Sequence, residues 1–272
     1  MQMPCRMSAI IIAINMAIML PIVLLGADKL SNSQYGIAFV EHVYRSLTDL
    51  DLLECAIRCR REECCRSLNF NHESMLCELN YLTKAILPNR EKLRKASLYL
   101  DLLKSPKVED FCTFDSSIDD CGYSHDRTGD FAWGILRGKT STKSTGPDAD
   151  HTSTKGLYIY IEASTPRVIG DRAILRSKMY PASPRPRCVR FFWHMYGFAM
   201  GSVQITYKPR NSTEETVIWE RSGNHRNAWF PGKAEVPPLP TDYQVSFIAI
   251  RGNNAAGDSA IDDVFITDGN CC

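Results

Sequence analysis

Cysteines are the residues whose chemistry is easiest to assign from the sequence. The chain has eleven, and ten remain if Cys5 is removed with the N-terminal apolar segment. Ten is an even number, and five disulfides could form in an oxidising compartment. Zinc is the competing chemistry, but there is neither a CxxC pair nor a His-x-His spacing. Five cysteines lie between Cys55 and Cys77 and five between Cys112 and Cys272, which indicates two disulfide-stapled modules.

Acidic residues form a second group with chemical potential. They occur as Asp115, as the pair Asp148 and Asp150, and as the adjacent Asp262 and Asp263. Hard cations such as calcium need several oxygen ligands, which carboxylates from separate strands or loops can supply. The alternative is that these residues cap turns and form salt bridges. The sequence alone leaves both interpretations open.

No catalytic centre is indicated by the sequence. There is no GxSxG, no HExxH and no phosphate-binding glycine loop. Of the six histidines, His151 follows an Asp-rich motif and His194 lies in a strand-like run, where a structural histidine is the more common role. We therefore expect a protein that is not an enzyme and that requires no cofactor.

The N-terminus is typical of an export signal. Arg6 precedes an apolar run from Ala9 to Ala27, which predicts a signal peptide over residues 1–27, with an uncleaved signal anchor as the alternative. Asn211 begins an Asn-Ser-Thr sequon, which fits a glycosylated surface loop. The formal net charge of +1 gives no electrostatic reason to expect a nucleic acid partner. These features predict a secreted protein or, through the anchor, a membrane-associated one.

Small structural elements must position the first group of cysteines. Residues 36–44 are predicted to form a strand, and residues 50–61 a helix that carries Cys55 and Cys59 on one face. Short strands are predicted over residues 67–71, 76–80 and 97–102. The module boundary is expected at residues 104–109.

The motifs ECAIRC, CRSLNF and LCELN, in this order, resemble the PAN/apple family over residues 36–103. The resemblance implies a small α+β module in which disulfides attach a helix to a sheet. It also implies that Cys55 pairs with Cys77 and Cys59 with Cys65. Cys64 has no counterpart in that pattern.

From residue 111 onward, the sequence alternates in the manner of an all-β domain. Apolar residues recur at every second position in three runs, which predicts strands with one buried face and favours a sandwich or jelly roll. The runs begin at Val189, Val203 and Tyr243. The four tryptophans could form a platform for sugars, but we expect Trp133, Trp193 and Trp219 in the core and only Trp229 at a partner contact.

The motifs FCTFD, DCGY, DFAW, GPDADHT, GLYIYIEAS, CVRFFWHMYG, IWERSG and GDSAIDDVFITDGNC resemble the MAM family over residues 111–271, which predicts a MAM domain over residues 111–272. The family fold is a jelly-roll-like sandwich of antiparallel sheets, so the resemblance implies a mainly β chain. It implies the pairs Cys112–Cys121 and Cys188–Cys271, with Cys272 as an extra cysteine. Because some MAM domains bind calcium, it also nominates Asp115, Asp150 and Asp263 as ligands.

The resemblance implies an adhesive or oligomerising role in an ectodomain. The expected partners are extracellular or cell-surface proteins, with a second copy of the chain among them, and the PAN/apple-like module supplies a second contact. The alternative is a carbohydrate-binding module, because relatives of the PAN/apple family bind proteins or glycans.

The extra cysteines generate a prediction about covalent structure. One member of the pair Cys64 and Cys65 bonds one member of the pair Cys271 and Cys272, within one chain or between two chains. The intact mass of the exported protein, measured without reductant, separates these alternatives. A doubled mass that returns to the single-chain value on reduction would exclude the bond within one chain.

Overall fold

The computed structural model describes residues 30–40, 42–62, 64–84, 91–102 and 108–271. The expected leader and Cys272 lie outside these residues. The chain divides into two compact units, whose described parts end at residue 102 and begin at residue 108. Across the described residues, no helix has both the length and the apolar character needed to cross a membrane.

The first unit is a five-stranded antiparallel sheet with one helix. The sheet order is β1-β5-β3-β4-β2. Its elements are β1 (Leu30–Ala38), β2 (Val43–Leu47), α1 (Leu52–Arg61), β3 (Ser67–Asn71), β4 (Leu76–Asn80) and β5 (Lys92–Leu102).

The helix and two strands of this unit follow from the sequence, whereas the first strand does not. The strands predicted over residues 67–71 and 76–80 are confirmed. Helix α1 begins at Leu52 because Asp51 forms a capping box with Glu54, in which each side chain accepts from the other backbone N–H. The single strand predicted over residues 36–44 is wrong. The strand is interrupted between β1 and β2. There the backbone N–H of the buried Phe39 donates to the Asn69 side-chain oxygen over 2.8 Å.

A compact apolar cluster joins the helix to the sheet. Cys55, Ala56 and Cys59 are the buried residues of α1. They belong to the same cluster as Leu68 on β3 and Leu79 on β4. Because the unit is small, covalent bonds across this interface contribute much of its stability.

The second unit is a sandwich of two antiparallel sheets, which confirms the mainly β fold. The sheet orders are β13-β12-β15-β10-β7 and β14-β11-β16-β9-β8, and β6 also pairs with β16. The strands are β6 (Val108–Cys112), β7 (Tyr123–His125), β8 (Gly134–Leu136), β9 (Tyr158–Tyr160), β10 (Arg172–Ser177), β11 (Arg187–Met195), β12 (Ser202–Pro209), β13 (Thr216–Ser222), β14 (Phe230–Val236), β15 (Tyr243–Ile250) and β16 (Ser259–Asp268).

The three alternating runs supply much of the sandwich core. The stripes of β11 and β15 are buried, and the rings of Phe191 and Phe247 meet edge-to-face at 5.9 Å between centroids. Trp133, Trp193 and Trp219 are also core residues, as expected. The Trp133 indole donates to the carbonyl oxygens of Ala173 and Phe247, both at 3.2 Å, so its one polar group is satisfied inside the core.

Candidate functional site

A long loop covers the outer face of one sheet in the sandwich. It comprises residues 137–157, between β8 and β9, and carries the GPDADHT motif. Its His151 ring stacks on Phe192 of β11, with centroids 3.4 Å apart and planes 16° from parallel. Phe192 points away from the core because its neighbours Phe191 and Trp193 point into it. Strand β11 is therefore covered on both faces.

Trp229 also contacts this loop. Its indole donates to the carbonyl oxygen of Ala149 over 2.9 Å. Its ring makes edge contacts with Tyr158, at 5.7 Å between centroids, and with His194, at 5.4 Å. Trp229, expected at a partner contact, is partly buried and packs within this intramolecular aromatic cluster.

A bulge in β16 brings two adjacent carboxylates to this loop. The pairing with β11 shifts register between Arg190 and Phe192, and Asp263 has a left-handed φ of 46°. Consecutive strand residues normally face opposite sides, but a bulge redirects one of them. Asp262 accepts from the backbone N–H of His151 at 2.9 Å, and Asp263 lies 2.8 Å from His151 Nδ1. The two carboxylates therefore hold one residue of the loop.

The side chains of Asp262 and Asp263 are both buried. Burial raises the pKa of Asp262 well above its ordinary range, and the adjacent charge of Asp263 acts in the same direction. Asp263 is also buried, and the hydroxyl of Thr152 donates to it. The cluster is thus a closed arrangement of internal partners.

Asp150 and Asp115 organise the end of the loop. Asp150 accepts from the backbone N–H groups of Gly156, at 2.9 Å, and Ser153, at 2.8 Å. Asp115 accepts from Leu157 N–H at 2.8 Å. A Cβ on Gly156 would lie 2.5 Å from Asp115 Oδ1 and 2.8 Å from Asp150 Oδ2, so only glycine fits between the two carboxylates.

The three nominated calcium ligands do not converge as a set. Asp115 and Asp150 meet at Gly156, whereas Asp263 is directed to His151 and Thr152. Among the described residues, no group of three His, Cys, Asp or Glu side chains could hold a metal ion. The expectation of one three-carboxylate site is therefore corrected: each of these side chains accepts hydrogen bonds from the loop, and the three do not meet at one point. Calcium binding stays a prediction from the family resemblance.

His194 lies beneath the loop as a neutral residue. It is buried on β11, and its Nε2 lies 2.9 Å from the Asn227 side-chain oxygen. Burial lowers the pKa of His194 to about 4, because the imidazolium would lose its hydration. Asn227 also donates to Asp148 over 2.9 Å, and the pKa of Asp148 is lowered by this bond and by Lys139. Sequence reasoning missed this polar network, since its members are far apart along the chain.

Four disulfides lie within the described residues. They are Cys55–Cys77, Cys59–Cys65, Cys112–Cys121 and Cys188–Cys271, which are the pairs that the two resemblances imply. Cys64 is disulfide-bonded as well. Because Cys65 and Cys271 form disulfides with Cys59 and Cys188, the predicted bond between extra cysteines would involve Cys64 and Cys272. Cys272 lies outside the described residues, and the choice between a bond within one chain and a bond between chains stays a prediction.

The predicted glycosylation site is a surface position. Asn211 is exposed in the connection between β12 and β13 and has a φ of 65°. Asparagine tolerates this left-handed conformation better than most residues. An oligosaccharyltransferase could reach such a side chain, and glycosylation itself stays a prediction.

The two antiparallel sheets, the two disulfides and the loop that covers one face together define a disulfide-bonded β-sandwich domain. A family model described as "MAM domain, meprin/A5/mu" matches residues 112–272, more than half of the chain, so the chain belongs to the MAM domain family. A model described as "PAN domain" matches residues 34–102. Both families are those that the sequence motifs indicate.

Curated relatives share the second unit at substantial identity. MAM domain-containing glycosylphosphatidylinositol anchor protein 1 of Rattus norvegicus is 40% identical over 182 residues, which cover 64% of this chain and 19% of that protein. MAM domain-containing protein 2 of Mus musculus is 37% identical over 160 residues, which cover 59% of this chain and 23% of that protein. The chain thus matches about a fifth of the length of these relatives.

Solved structures give only remote likenesses. The CBM22-1 xylan-binding domain from Paenibacillus barcinonensis is 7% identical, with 63% of this chain and 100% of that chain covered. The TM-score is 0.42, which is too low to bear on function.

The buried His194 predicts a specific pH dependence of stability. Its pKa is about 4 in the folded state, below the ordinary value of 6.5, so the unfolded chain binds a proton first as pH falls. The contribution of neutral His194 is complete above pH 6.5 and is lost as pH falls toward 4. Between pH 7.5 and pH 5, we expect the free energy of unfolding to fall by about 2 kcal/mol more in the wild type than in His194→Gln.

Denaturant unfolding at a series of pH values measures this difference. The matched control is His125→Gln, because His125 is exposed on β7 and water can hydrate its charged form. A difference between wild type and His194→Gln that stays constant with pH would contradict the assignment of a neutral, buried His194.

The family resemblance nominates Asp115, Asp150 and Asp263 as calcium ligands, and the first two lie together at Gly156. An ion bound only by the folded state would raise the melting temperature in calcium above that in chelator, by an amount worth about 2.7 kcal/mol at a hundredfold excess over the dissociation constant. Asp115→Asn should abolish the rise, whereas Asp119→Asn, at an exposed residue of the following turn, should preserve it. A wild-type melting temperature that calcium and chelator leave unchanged would exclude a structural ion.

Proposed function

We propose that this chain is an extracellular recognition and adhesion protein that acts by binding other proteins, without catalysis. The MAM sandwich supplies the principal binding surface, and the PAN unit supplies a second one. Cell-surface or secreted proteins are the proposed partners, and a second copy of the chain is one of them.

The single observation that carries this proposal is how the polar residues of the MAM unit are used. Asp150, His151, Asp262 and Asp263 all bond within the loop or between the loop and β16. A catalytic site needs such groups directed at a substrate within hydrogen-bonding reach. Here they make a rigid outer surface, and a rigid surface loses little conformational entropy on binding a partner.

The disulfides and the relatives support the location that we propose. Disulfides persist in oxidising compartments, including the cell exterior. The rat relative is named as a glycosylphosphatidylinositol anchor protein, which fits a cell-surface setting for MAM domains. We infer that this chain is exported, by cleavage of the predicted leader or by retention of it as an anchor.

Binding to cells and to itself tests the proposal. Purified non-reduced protein is immobilised on beads, and we expect the beads to bind cells and to lose that binding when the cells are first treated with trypsin. Reduced and alkylated protein on matched beads is the control for folded structure. Bead-to-bead aggregation without cells identifies self-recognition. Beads that bind neither cells nor one another would contradict an adhesive role.

Glycan recognition is the second candidate, and a pocket on the PAN unit favours it. The pocket has a volume of about 250 Å³ and lies along α1, lined by Leu50, Glu54, Ile57, Arg58 and Arg61. Two guanidinium groups at one pocket would suit a sulfated or carboxylated sugar. Arg58→Ala with Arg61→Ala should then remove binding to a heparin column. Retained bead adhesion in that double variant would separate this activity from the protein recognition proposed above.

A further inference from the structure

Two exposed apolar residues sit on a tight turn of the MAM unit. Val168 is 60% exposed and Ile169 is 70% exposed. The turn is rigid, because Asp171 N–H donates to the Val168 carbonyl oxygen over 3.2 Å and the Asp171 side chain accepts from Val168 N–H at 2.8 Å. Gly170 supplies the positive φ of 87° that the turn requires. Turn geometry favours Gly, Pro, Asn, Asp or Ser, so nothing in the turn itself explains Val168 and Ile169.

A second loop presents an even more exposed aromatic ring. Phe198 is 76% exposed between the buried Gly197 and Ala199. Gly197 N–H donates to the Asn224 side chain over 3.0 Å, and Ala199 N–H donates to the Ala256 carbonyl oxygen over 3.0 Å. Backbone bonds on both sides therefore hold Phe198 outward.

The two loops lie at one end of the sandwich, on either side of residues 251–252. Gly170 N–H donates to the Arg251 carbonyl oxygen over 3.0 Å. A Cβ on Gly252 would lie 2.0 Å from the Ala199 carbonyl oxygen, which shows how closely the second loop approaches the same segment. Val168, Ile169 and Phe198 thus share this end, and we call these three residues the apolar tip.

The apolar tip lies at the end of the sandwich opposite the Cys188–Cys271 bond. Strand β12 begins beside it, at Ser202 paired with Ile250, and runs to Pro209, about 25 Å away. The sequon Asn211 follows that far end, and the Cys188–Cys271 bond lies at the far ends of β11 and β16. A glycan at Asn211 would therefore lie at the opposite end of the sandwich from the tip.

Charged residues of both signs lie near the tip. Lys143 is exposed, two residues before Thr145, whose hydroxyl donates to the Tyr196 carbonyl oxygen beside the second loop. Arg167 adjoins Val168, and its guanidinium lies over the Phe131 ring, 4.9 Å from the ring centroid. The nearby carboxylate Glu162 accepts from Ser141 and Ser164, and Asp171 caps the turn. Local hydrogen bonds hold the two carboxylates, and the exposed Lys143 places a positive charge near the apolar residues.

We propose that the apolar tip inserts into the interfacial region of a phospholipid membrane and docks the MAM unit on it. Three protruding side chains on two separate loops would each need a matching cavity in a protein partner. A lipid interface accepts them without one, gains the burial of apolar surface, and binds Lys143 through headgroup phosphates. This inference goes beyond the proposed protein recognition and does not depend on it.

Cosedimentation of the purified full chain with vesicles tests the inference. The vesicles contain phosphatidylcholine alone or phosphatidylcholine mixed with phosphatidylserine, and we expect the wild type to bind both, with higher affinity for the mixture. Phe198→Ser and Ile169→Ser should each lower the partition coefficient about tenfold, the effect of withdrawing one large apolar side chain from lipid.

Two exposed apolar residues elsewhere provide matched control variants. Leu93→Ser changes a side chain that is 93% exposed in the first unit, and Val217→Ser one that is 47% exposed on β13. Both should bind vesicles as the wild type does. Unchanged non-reduced mass and circular dichroism establish that each variant is folded.

Three results would overturn the inference. Folded wild type that stays in solution with both kinds of vesicle has no membrane affinity. Equal losses in the control and tip variants would show that the tip has no special role. Light scattering that shows tip-dependent self-association without vesicle binding would assign the surface to a second copy of the chain. Loss of vesicle binding together with normal bead adhesion to cells leaves the proposed protein recognition intact.

Discussion

Burial of both faces of the strand pair β11 and β16 is the constraint on which the MAM unit depends. Nine of the ten residues of β16 are buried, although the outer face of a sandwich sheet is normally open to water. The 137–157 loop supplies the missing cover, with His151 stacked on Phe192 and Trp229 bonded to Ala149. Most buried polar groups in proteins have a hydrogen-bond partner, and the loop supplies partners to Asp262 and Asp263 here.

The bulge at Asp263 is the local solution to that constraint. It turns two consecutive carboxylates toward one residue of the loop, so that the backbone and the ring of His151 are held together. Gly156 allows Asp115 and Asp150 to approach closely at the end of the loop. The motifs that look most like a reactive site are thus explained by the attachment of a loop to a sheet. Such a surface suits recognition, because its shape is fixed before a partner arrives.

Disulfides stabilise the two units by covalent bonds, in addition to this packing. In the first unit, Cys55–Cys77 and Cys59–Cys65 fasten α1 to a sheet whose apolar core is small. In the MAM unit, Cys188–Cys271 closes a loop of 83 residues, which removes about 4 to 5 kcal/mol of conformational freedom from the unfolded chain in the loop-entropy model. These bonds stabilise the two units, while the loops that carry Ile169 and Phe198 lie at the opposite end of the sandwich from Cys188–Cys271.

The sequence by itself determined the two modules, the strands with alternating apolar residues and the absence of a recognisable catalytic motif. These are local properties, set by the period of side chains along a strand and by short motifs. The sequence left open whether Asp115, Asp150 and Asp263 gather into one site, and it placed Trp229 at a partner contact. Only the tertiary structure decided these points, because the bulge at Asp263 and the contacts of His194 with Asn227 and Trp229 join residues far apart in the chain. It also decided that Ile169 and Phe198 share one end of the sandwich, since that depends on how separate loops pack against residues 251–252.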